Sequence, residues 1–324
     1  MRPSNISRSH KASPNMRSAN KFSSLQSAAR TLQGYSDLIR FSKPAATFII
    51  FMPFGQTMAL ASYAHGGMQI WDVVRWCGLF LLWAFVGRSL ACTVNDVCDR
   101  DVDGKVARTK TRPLPSGRVS VTGARLFLLA QVCLDIALYY QISTTVLLHG
   151  LVSLGLSLLY PLMKRFTNWP QAWLGVAANY GVFLAWASLP KGPDISIAVF
   201  LLIGLAAWTV CFDTIYALQD REDDLKLGVG SSAITAFGYM EKFLWFCAIV
   251  FVACLIAVGI LNRQGPIYFI VSVGVVAFAV FRHLLGLDMT KRESFADALP
   301  LGAGVSFIVL GGIVGDCLVS QIFA

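Results

Sequence analysis

Residues 73–103 read VVRWCGLFLLWAFVGRSLACTV followed by NDVCDRDVD: an apolar run from Val73 to Val94 leads straight into Asn95-Asp96-Val97-Cys98-Asp99-Arg100-Asp101-Val102-Asp103. The run matches the ~20 residues a helix needs to cross the hydrocarbon of a bilayer. Inside lipid its backbone N–H and C=O groups have only one another to bond, so it is a helix. Similar runs fall roughly at 45–63, 124–143, 145–163, 171–189, 195–215, 243–261, 266–283 and 298–319. Hydrophobic residues make up 56% of the 324 and charged residues 14%, and the mean hydropathy is +0.61; a soluble domain carries a charged share near a quarter. The expectation is an all-α membrane protein of about nine transmembrane helices, with the lipid bilayer as its solvent.

The net charge of +9 would suggest nucleic acid in a soluble chain, but here it follows the membrane. Of the 27 basic residues, all except Arg75, Arg88, Lys191 and Arg263 lie in the N-terminal arm or in the loops after the even-numbered spans. The positive-inside rule places those segments, with both acidic stretches, on the cytosolic or matrix face; no nucleic-acid partner is expected. Residues 1–36 hold six basic residues (Arg2, Arg8, Lys11, Arg17, Lys21, Arg30) and many serines before the first acidic residue at Asp37. That composition suits a disordered basic arm or a mitochondrial transit peptide, with 37–324 forming the membrane domain. An endomembrane location (endoplasmic reticulum or Golgi) is expected, the mitochondrial inner membrane being the alternative. The eight cysteines form no CxxC pair and no zinc-like spacing with the four histidines, and read as small buried apolar residues.

On a helix, Asn95, Asp99 and Asp103 recur at i, i+4 and i+8 and share one face. At the end of the sixth span, Asp213-Thr-Ile-Tyr216-Ala-Leu-Gln-Asp220-Arg-Glu-Asp-Asp224 repeats the arrangement with Tyr216, Asp220 and Asp224. Carboxylates crowded at a membrane boundary repel one another unless cations neutralise them. Oxygen-only ligands point to Mg²⁺, which keeps waters and is readily shared with phosphate oxygens; two matched clusters therefore suit a diphosphate. An EF-hand reading of Asp99–Gly104 fails because Lys110 stands where the loop needs its bidentate Glu. Isolated DxD triplets such as Asp99 to Asp101 carry little information.

The first cluster runs into Lys105, Arg108, Lys110, Arg112 and Arg118. Cations on an adjoining loop bind the outer oxygens of a diphosphate and stabilise it as a leaving group, a role expected of Lys105, Arg108 and Arg112. Arg88 lies two helical turns deeper than Asn95 on the same face, where a cation needs a partner or a ligand. Asp135 and Asn179 fall within spans, where polar groups serve cavities or neighbours. Phe51, Phe54, Trp186 and Trp208 receive no role beyond packing.

Residues 95–117, NDVCDRDVDGKVARTKTRPLPSG, closely resemble the first signature of the UbiA-type prenyltransferases, particularly eukaryotic 4-hydroxybenzoate polyprenyltransferases and fungal meroterpenoid aromatic prenyltransferases. DTIYALQDREDDLKLG (213–228) resembles the second signature, YPLMKRFT (160–167) a connecting loop and RFSKP (40–44) the entry to the first span. The resemblance covers residues 36–320. It implies helices around a central cavity and Mg²⁺ held by the Asn95, Asp96, Asp99, Asp103, Asp220 and Asp224 set. It also implies diphosphate contacts from Lys105, Arg108, Arg112, Lys164 and Tyr216, and an acceptor's acidic group near Arg40 and Lys43. Asp99, Asp220, Arg112 and Lys105 are the residues expected to carry catalysis.

The implied reaction moves an isoprenoid chain from a prenyl diphosphate to a small aromatic acceptor. Leu218 stands where ubiquinone-pathway members usually have His, and Val229-Gly230 where Val-Lys is usual. The expected pair is therefore farnesyl diphosphate with an aromatic polyketide-type acid, as in fungal meroterpenoid biosynthesis. The alternatives are a polyprenyl diphosphate with 4-hydroxybenzoate, as in ubiquinone biosynthesis, and cyclisation of the prenyl diphosphate without an acceptor. A cation transporter is disfavoured because transport sites sit near the midplane between broken helices, whereas these carboxylates gather at one face.

Overall fold

The computed structural model describes residue 26 and residues 28–105 and 109–322. A first helix, α1 (residues 28–38), precedes α2 (Ala45–Ala64) and α3 (Ile70–Cys98), which is followed after Asp99 by the short α4 (Arg100–Asp103). Next come α5 (Val121–Tyr140), α6 (Thr144–Phe166), α7 (Pro170–Asn179), α8 (Gly181–Ser188) and α9 (Ile195–Ala217). A 3₁₀ turn (Leu218–Asp220) links α9 to α10 (Arg221–Leu227), followed by the short α11 (Ser232–Thr235). α12 (Met240–Leu261), a π-helical stretch (Tyr268–Val275) running into α13 (Val276–Leu285), and α14 (Ala298–Ile322) complete the chain. Among the described residues there is no strand.

Among the described residues, eight continuous helical segments are long and apolar enough to cross a membrane. The fifth expected span, 171–189, is present as the pair α7 and α8, broken at Tyr180. Asn179 holds the break: its side-chain amide donates to the carbonyls of Gly175 (2.8 Å) and Leu205 (3.3 Å) and to the Thr209 hydroxyl (2.8 Å). Just beyond, Gly181 lies against the Phe54 ring where a Cβ would collide.

The segments form a closed ring. α2 packs on α3, α3 on α5, α5 on α6, α6 on α7, α7 on α9, α9 on α12, α12 on the π-helix and α13, and the π-helix on α14, which returns to α2. The Gln56 amide donates to the Ser306 carbonyl at 3.0 Å across that last junction. One buried cluster, including Trp208 stacked on Phe251 with centroids 5.4 Å apart, fills the α9–α12–α14 side. A second, with Phe54, Trp76, Phe80, Trp83 and Tyr139 in mutual ring contact, plugs the space between α2, α3, α5 and α8. Exposed Leu126, Leu129, Leu134, Leu148 and Leu151 cover the outer faces of α5 and α6, as an integral membrane protein requires.

The boundary expected at residue 36 falls inside α1, and residues 28–36 are helical. Gly34 abuts Val119, Tyr35 meets Phe127 edge-on at 5.1 Å, and Leu38 is fully buried. The rest of the expected arm lies almost wholly outside the described residues.

Candidate active site

Both acidic stretches form the same device. α3 ends at Asp99 (φ −96°, ψ 7°) and α9 with its 3₁₀ turn ends at Asp220 (φ −103°, ψ 2°); a short helix follows each. The helical bonding survives the first bend, since Asp99 N–H donates to the Asn95 carbonyl and Asp103 N–H to the Asp99 carbonyl, both at 2.8 Å. Each bend keeps its i, i+4, i+8 set on one side. Asn95, Asp99 and Asp103 form one wall of a single polar cavity, and Tyr216, Asp220 and Asp224 another. Asp213 and Asp223 join the second wall; Asp213 lies two helical turns deeper than Asp220 on the same face.

Cations are interleaved with these acids. The Lys164 ammonium lies 3.6 Å from one Asp99 oxygen and the Arg165 guanidinium 3.9 Å from the other. Arg112 donates to Asp103 at 2.7 Å, and Arg292 lies 4.0 Å from Asp220. Burial pushes the Asp99 carboxyl above the usual carboxylate range; Lys164 opposes the shift and Asp103 adds to it. A carboxylate in that environment gains most from an added cation.

The donors facing this cavity suit Mg²⁺: they are carboxylates, two amides and hydroxyls, with no Cys or His among the described residues of the wall. Among the described residues no three His, Cys, Asp or Glu side chains gather closely enough to hold an ion alone.

Tyr160 lines this polar cavity and also a second, apolar one, bounded by Ile50, Phe54, Trp83, Leu90, Tyr139 and Leu184 among others. Pro161, next to Tyr160, lacks the N–H that would bond the Ser157 carbonyl, and Ser157 lines the apolar cavity.

Of the residues singled out in the sequence, Asn95, Asp99, Asp103, Arg112, Lys164, Tyr216, Asp220 and Asp224 converge on the polar cavity. Asp96 does not. It is fully buried behind α3, where Arg40 (2.7 Å) and Arg112 (3.3 Å) hold its Oδ1. On a helix it sits about 100° from Asn95 and cannot share that face. Lys105 stands exposed on the turn after α4, outside the cavity wall, and Lys43 is exposed before α2. Arg108 lies outside the described residues. Arg40 is committed to Asp96, so the cation left for a ligand near the membrane entry is Arg88. Arg88 is 8% exposed, forms no ion pair among the described residues, and donates only to the Arg40 carbonyl at 3.3 Å. It lines a lateral groove between α2 and α3 with Phe41, Phe48, Leu81 and Phe85.

Sequence reasoning did not assign Asp213 or Arg165. Asp213 was legible as the residue two turns before Asp220 on one helical face. Arg165 was concealed by its place at a helix end, where basic residues are ordinary.

A ring of transmembrane helices that sets a polar, acid-and-base-lined cavity beside an apolar one, with Tyr160 in the wall of both, suits an amphiphile with an anionic head and a hydrocarbon tail. The profile of the UbiA prenyltransferase family matches residues 50–310, and the chain belongs to that family. It is 38% identical over 288 residues to UbiA prenyltransferase claS of Ampulloclitocybe clavipes, covering 88% of this chain and 91% of the relative. It is 35% identical over 293 residues to the mitochondrial 4-hydroxybenzoate polyprenyltransferase of Drosophila melanogaster, covering 90% and 73%. Its fold matches a UbiA homolog from Archaeoglobus fulgidus bound to GPP and Mg²⁺, with a TM-score of 0.60 and 20% identity over 86% of this chain and 99% of that one.

Proposed function

We propose that this protein is an Mg²⁺-dependent aromatic prenyltransferase that transfers a farnesyl chain from its diphosphate to an aromatic polyketide-type acid. The observation that carries the reading is the pair of matched acidic bends facing one cavity, with Lys164 and Arg112 between them and an apolar cavity beyond Tyr160. Asn95, Asp99 and Asp103 would hold the metal on one wall, and Asp220 and Asp224 on the other. Bound Mg²⁺ supplies the positive charge that a diphosphate needs in order to leave. The GPP and Mg²⁺ of the Archaeoglobus neighbour support the same pairing here.

Lys164, Arg112, Arg165 and Tyr216 hold the outer diphosphate oxygens and stabilise them as the allylic carbon–oxygen bond breaks and the diphosphate leaves with the electron pair. The apolar lining beyond Tyr160 excludes water from the electron-deficient carbon. A ring carbon of the acceptor then supplies the electrons for the new carbon–carbon bond. Its proton goes to Asp213, the carboxylate set deepest in the polar wall. Arg88, in the lateral groove between α2 and α3, draws in the acceptor's carboxylate from the membrane side.

The claS relative is named only as a UbiA prenyltransferase and is compatible with the first reading, whereas the Drosophila relative, a 4-hydroxybenzoate polyprenyltransferase, supports 4-hydroxybenzoate with a polyprenyl diphosphate, the second reading. Leu218, in place of the usual His, tips the choice to the first. The test is an Mg²⁺ assay of membranes carrying the expressed protein. Farnesyl, geranylgeranyl and longer diphosphates are paired with orsellinic-type acids and 4-hydroxybenzoate, and the products are read by mass spectrometry. A farnesylated polyketide acid is expected. Polyprenylated 4-hydroxybenzoate alone would replace the first reading with the second, and a cyclised product formed without acceptor would refute both.

A further inference from the structure

The apolar cavity has a floor, and its construction is unusual for a surface meant to meet hydrocarbon. Trp83 and Tyr139 meet edge-on at the bottom, ring centroids 5.2 Å apart, with Phe54 against Trp83 at 6.2 Å. Behind them Phe80 and Trp76 continue the aromatic plug. Tyr139 rests on Gly150, where any Cβ would overlap its ring, and its hydroxyl donates to Asp135 Oδ2 at 3.1 Å. Trp83 and Asp135 are each 2% exposed. Trp83 Nε1 and Asp135 Oδ1 are buried without a hydrogen-bond partner, and both residues line the cavity.

Two helices give the depth of this floor independently. On α6, Ser153 lines the cavity eleven residues before Lys164, about 16 Å at 1.5 Å per residue. On α3, Trp83 lies twelve residues before Asn95, about 18 Å by the same rise. An extended chain advances roughly 1.2 Å per bond, as a peptide backbone does, so a farnesyl main chain reaches about 14 Å and each further isoprene adds about 5 Å.

We infer that Trp83, Tyr139 and Asp135 form a length stop that admits a farnesyl chain and rejects longer prenyl diphosphates. The inference rests on the prenyl-transfer reading above and adds the residues that set the tail length. The stop acts by occlusion: the Trp83–Tyr139 pair, held by the Tyr139–Asp135 hydrogen bond and backed by the plug, occupies the space that a fourth isoprene needs.

The experiment uses the full chain in membranes. It compares kcat/KM for farnesyl, geranylgeranyl and nonaprenyl diphosphates in wild type, Trp83→Ala and the milder Trp83→Leu, the latter covering a failure of Trp83→Ala to insert. Competition binding of the unreactive thiodiphosphate analogues reads the same preference without chemistry. Wild type is expected to favour farnesyl over geranylgeranyl by at least ~10-fold, the discrimination that small changes of apolar bulk confer. Enlarging the floor should raise the geranylgeranyl-to-farnesyl ratio at least ~10-fold in turnover and in binding. Equal use of the three diphosphates by wild type, or a ratio that stays within twofold in both variants, overturns the length stop. Absence of any prenylated product with a binding preference that still shifts would instead sink the prenyl-transfer reading and leave the stop standing.

Discussion

Asp99 and Asp220 adopt nearly the same backbone conformation, φ −96° ψ 7° and φ −103° ψ 2°, where two long transmembrane helices give way to short acidic ones. This sparsely populated bridge region turns the following helix, and at Asp99 the helical hydrogen bonds run on through the bend. The result is two carboxylate walls of one cavity, the halves of a repeat in which Asn95 answers Tyr216 and Asp103 answers Asp224.

Because the two walls face each other, neither substitutes for the other. Asp99→Asn and Asp220→Asn should each lower Mg²⁺-supported turnover by at least ~100-fold, the scale of losing one preorganised electrostatic contact, while both proteins insert and stay monodisperse in detergent. Chelation of wild type should produce the same loss and added Mg²⁺ should reverse it. Turnover retained in both variants would remove the metal from these carboxylates.

The spans and the acidic faces were legible because both follow from local rules: lipid forces each apolar run into a helix, and an i, i+4, i+8 spacing keeps three side chains on one side. What escaped depends on tertiary contacts. The break at Tyr180 needs Thr209 and Leu205, which come from another helix, to bind Asn179. Asp96 reads like its acidic neighbours until Arg40 and Arg112 are seen to close on it from behind. Arg40 and Arg88 are indistinguishable by residue type, and only the ion pair to Asp96 shows which one is already committed.

Asp96 therefore predicts a different phenotype from Asp99. Asp96→Asn leaves the Arg40 and Arg112 guanidiniums facing each other around a neutral amide. Removing one member of a buried ion cluster costs about 3 kcal/mol or more, so this variant should lose monodispersity on heating well before wild type. A melting temperature equal to that of wild type would show that the Arg40–Asp96–Arg112 contact is dispensable.

Gly230 explains one departure from the usual family pattern. Its N–H donates to the Lys164 carbonyl at 2.9 Å, and a Cβ there would run into the Thr167 carbonyl oxygen. A backbone atom cannot rotate away, so Gly230→Ala should push the Val229–Ser231 turn off the end of α6 at a cost of about 1–3 kcal/mol and displace Lys164 from Asp99. The expected signature is a raised KM for the prenyl diphosphate with little change for the acceptor. An unchanged KM would show that the turn does not position Lys164.

Arg88 offers the sharpest separation of the two substrates. A guanidinium 8% exposed within a membrane helix, with no acidic partner among the described residues, is costly unless a ligand's anion meets it. The polar cavity already supplies Lys164, Arg112 and Arg165 to the diphosphate, so the acceptor's carboxylate is the remaining candidate. Arg88→Leu should raise the KM for an aromatic acid acceptor by roughly 10–100-fold, the worth of one charge-assisted hydrogen bond, and leave the KM for the prenyl diphosphate within twofold. An acceptor analogue with an amide in place of the carboxylate should bind wild type as weakly as the acid binds the variant. If Arg88→Leu instead raises the KM for the diphosphate, Arg88 belongs to the leaving-group site and the lateral groove loses its assigned ligand.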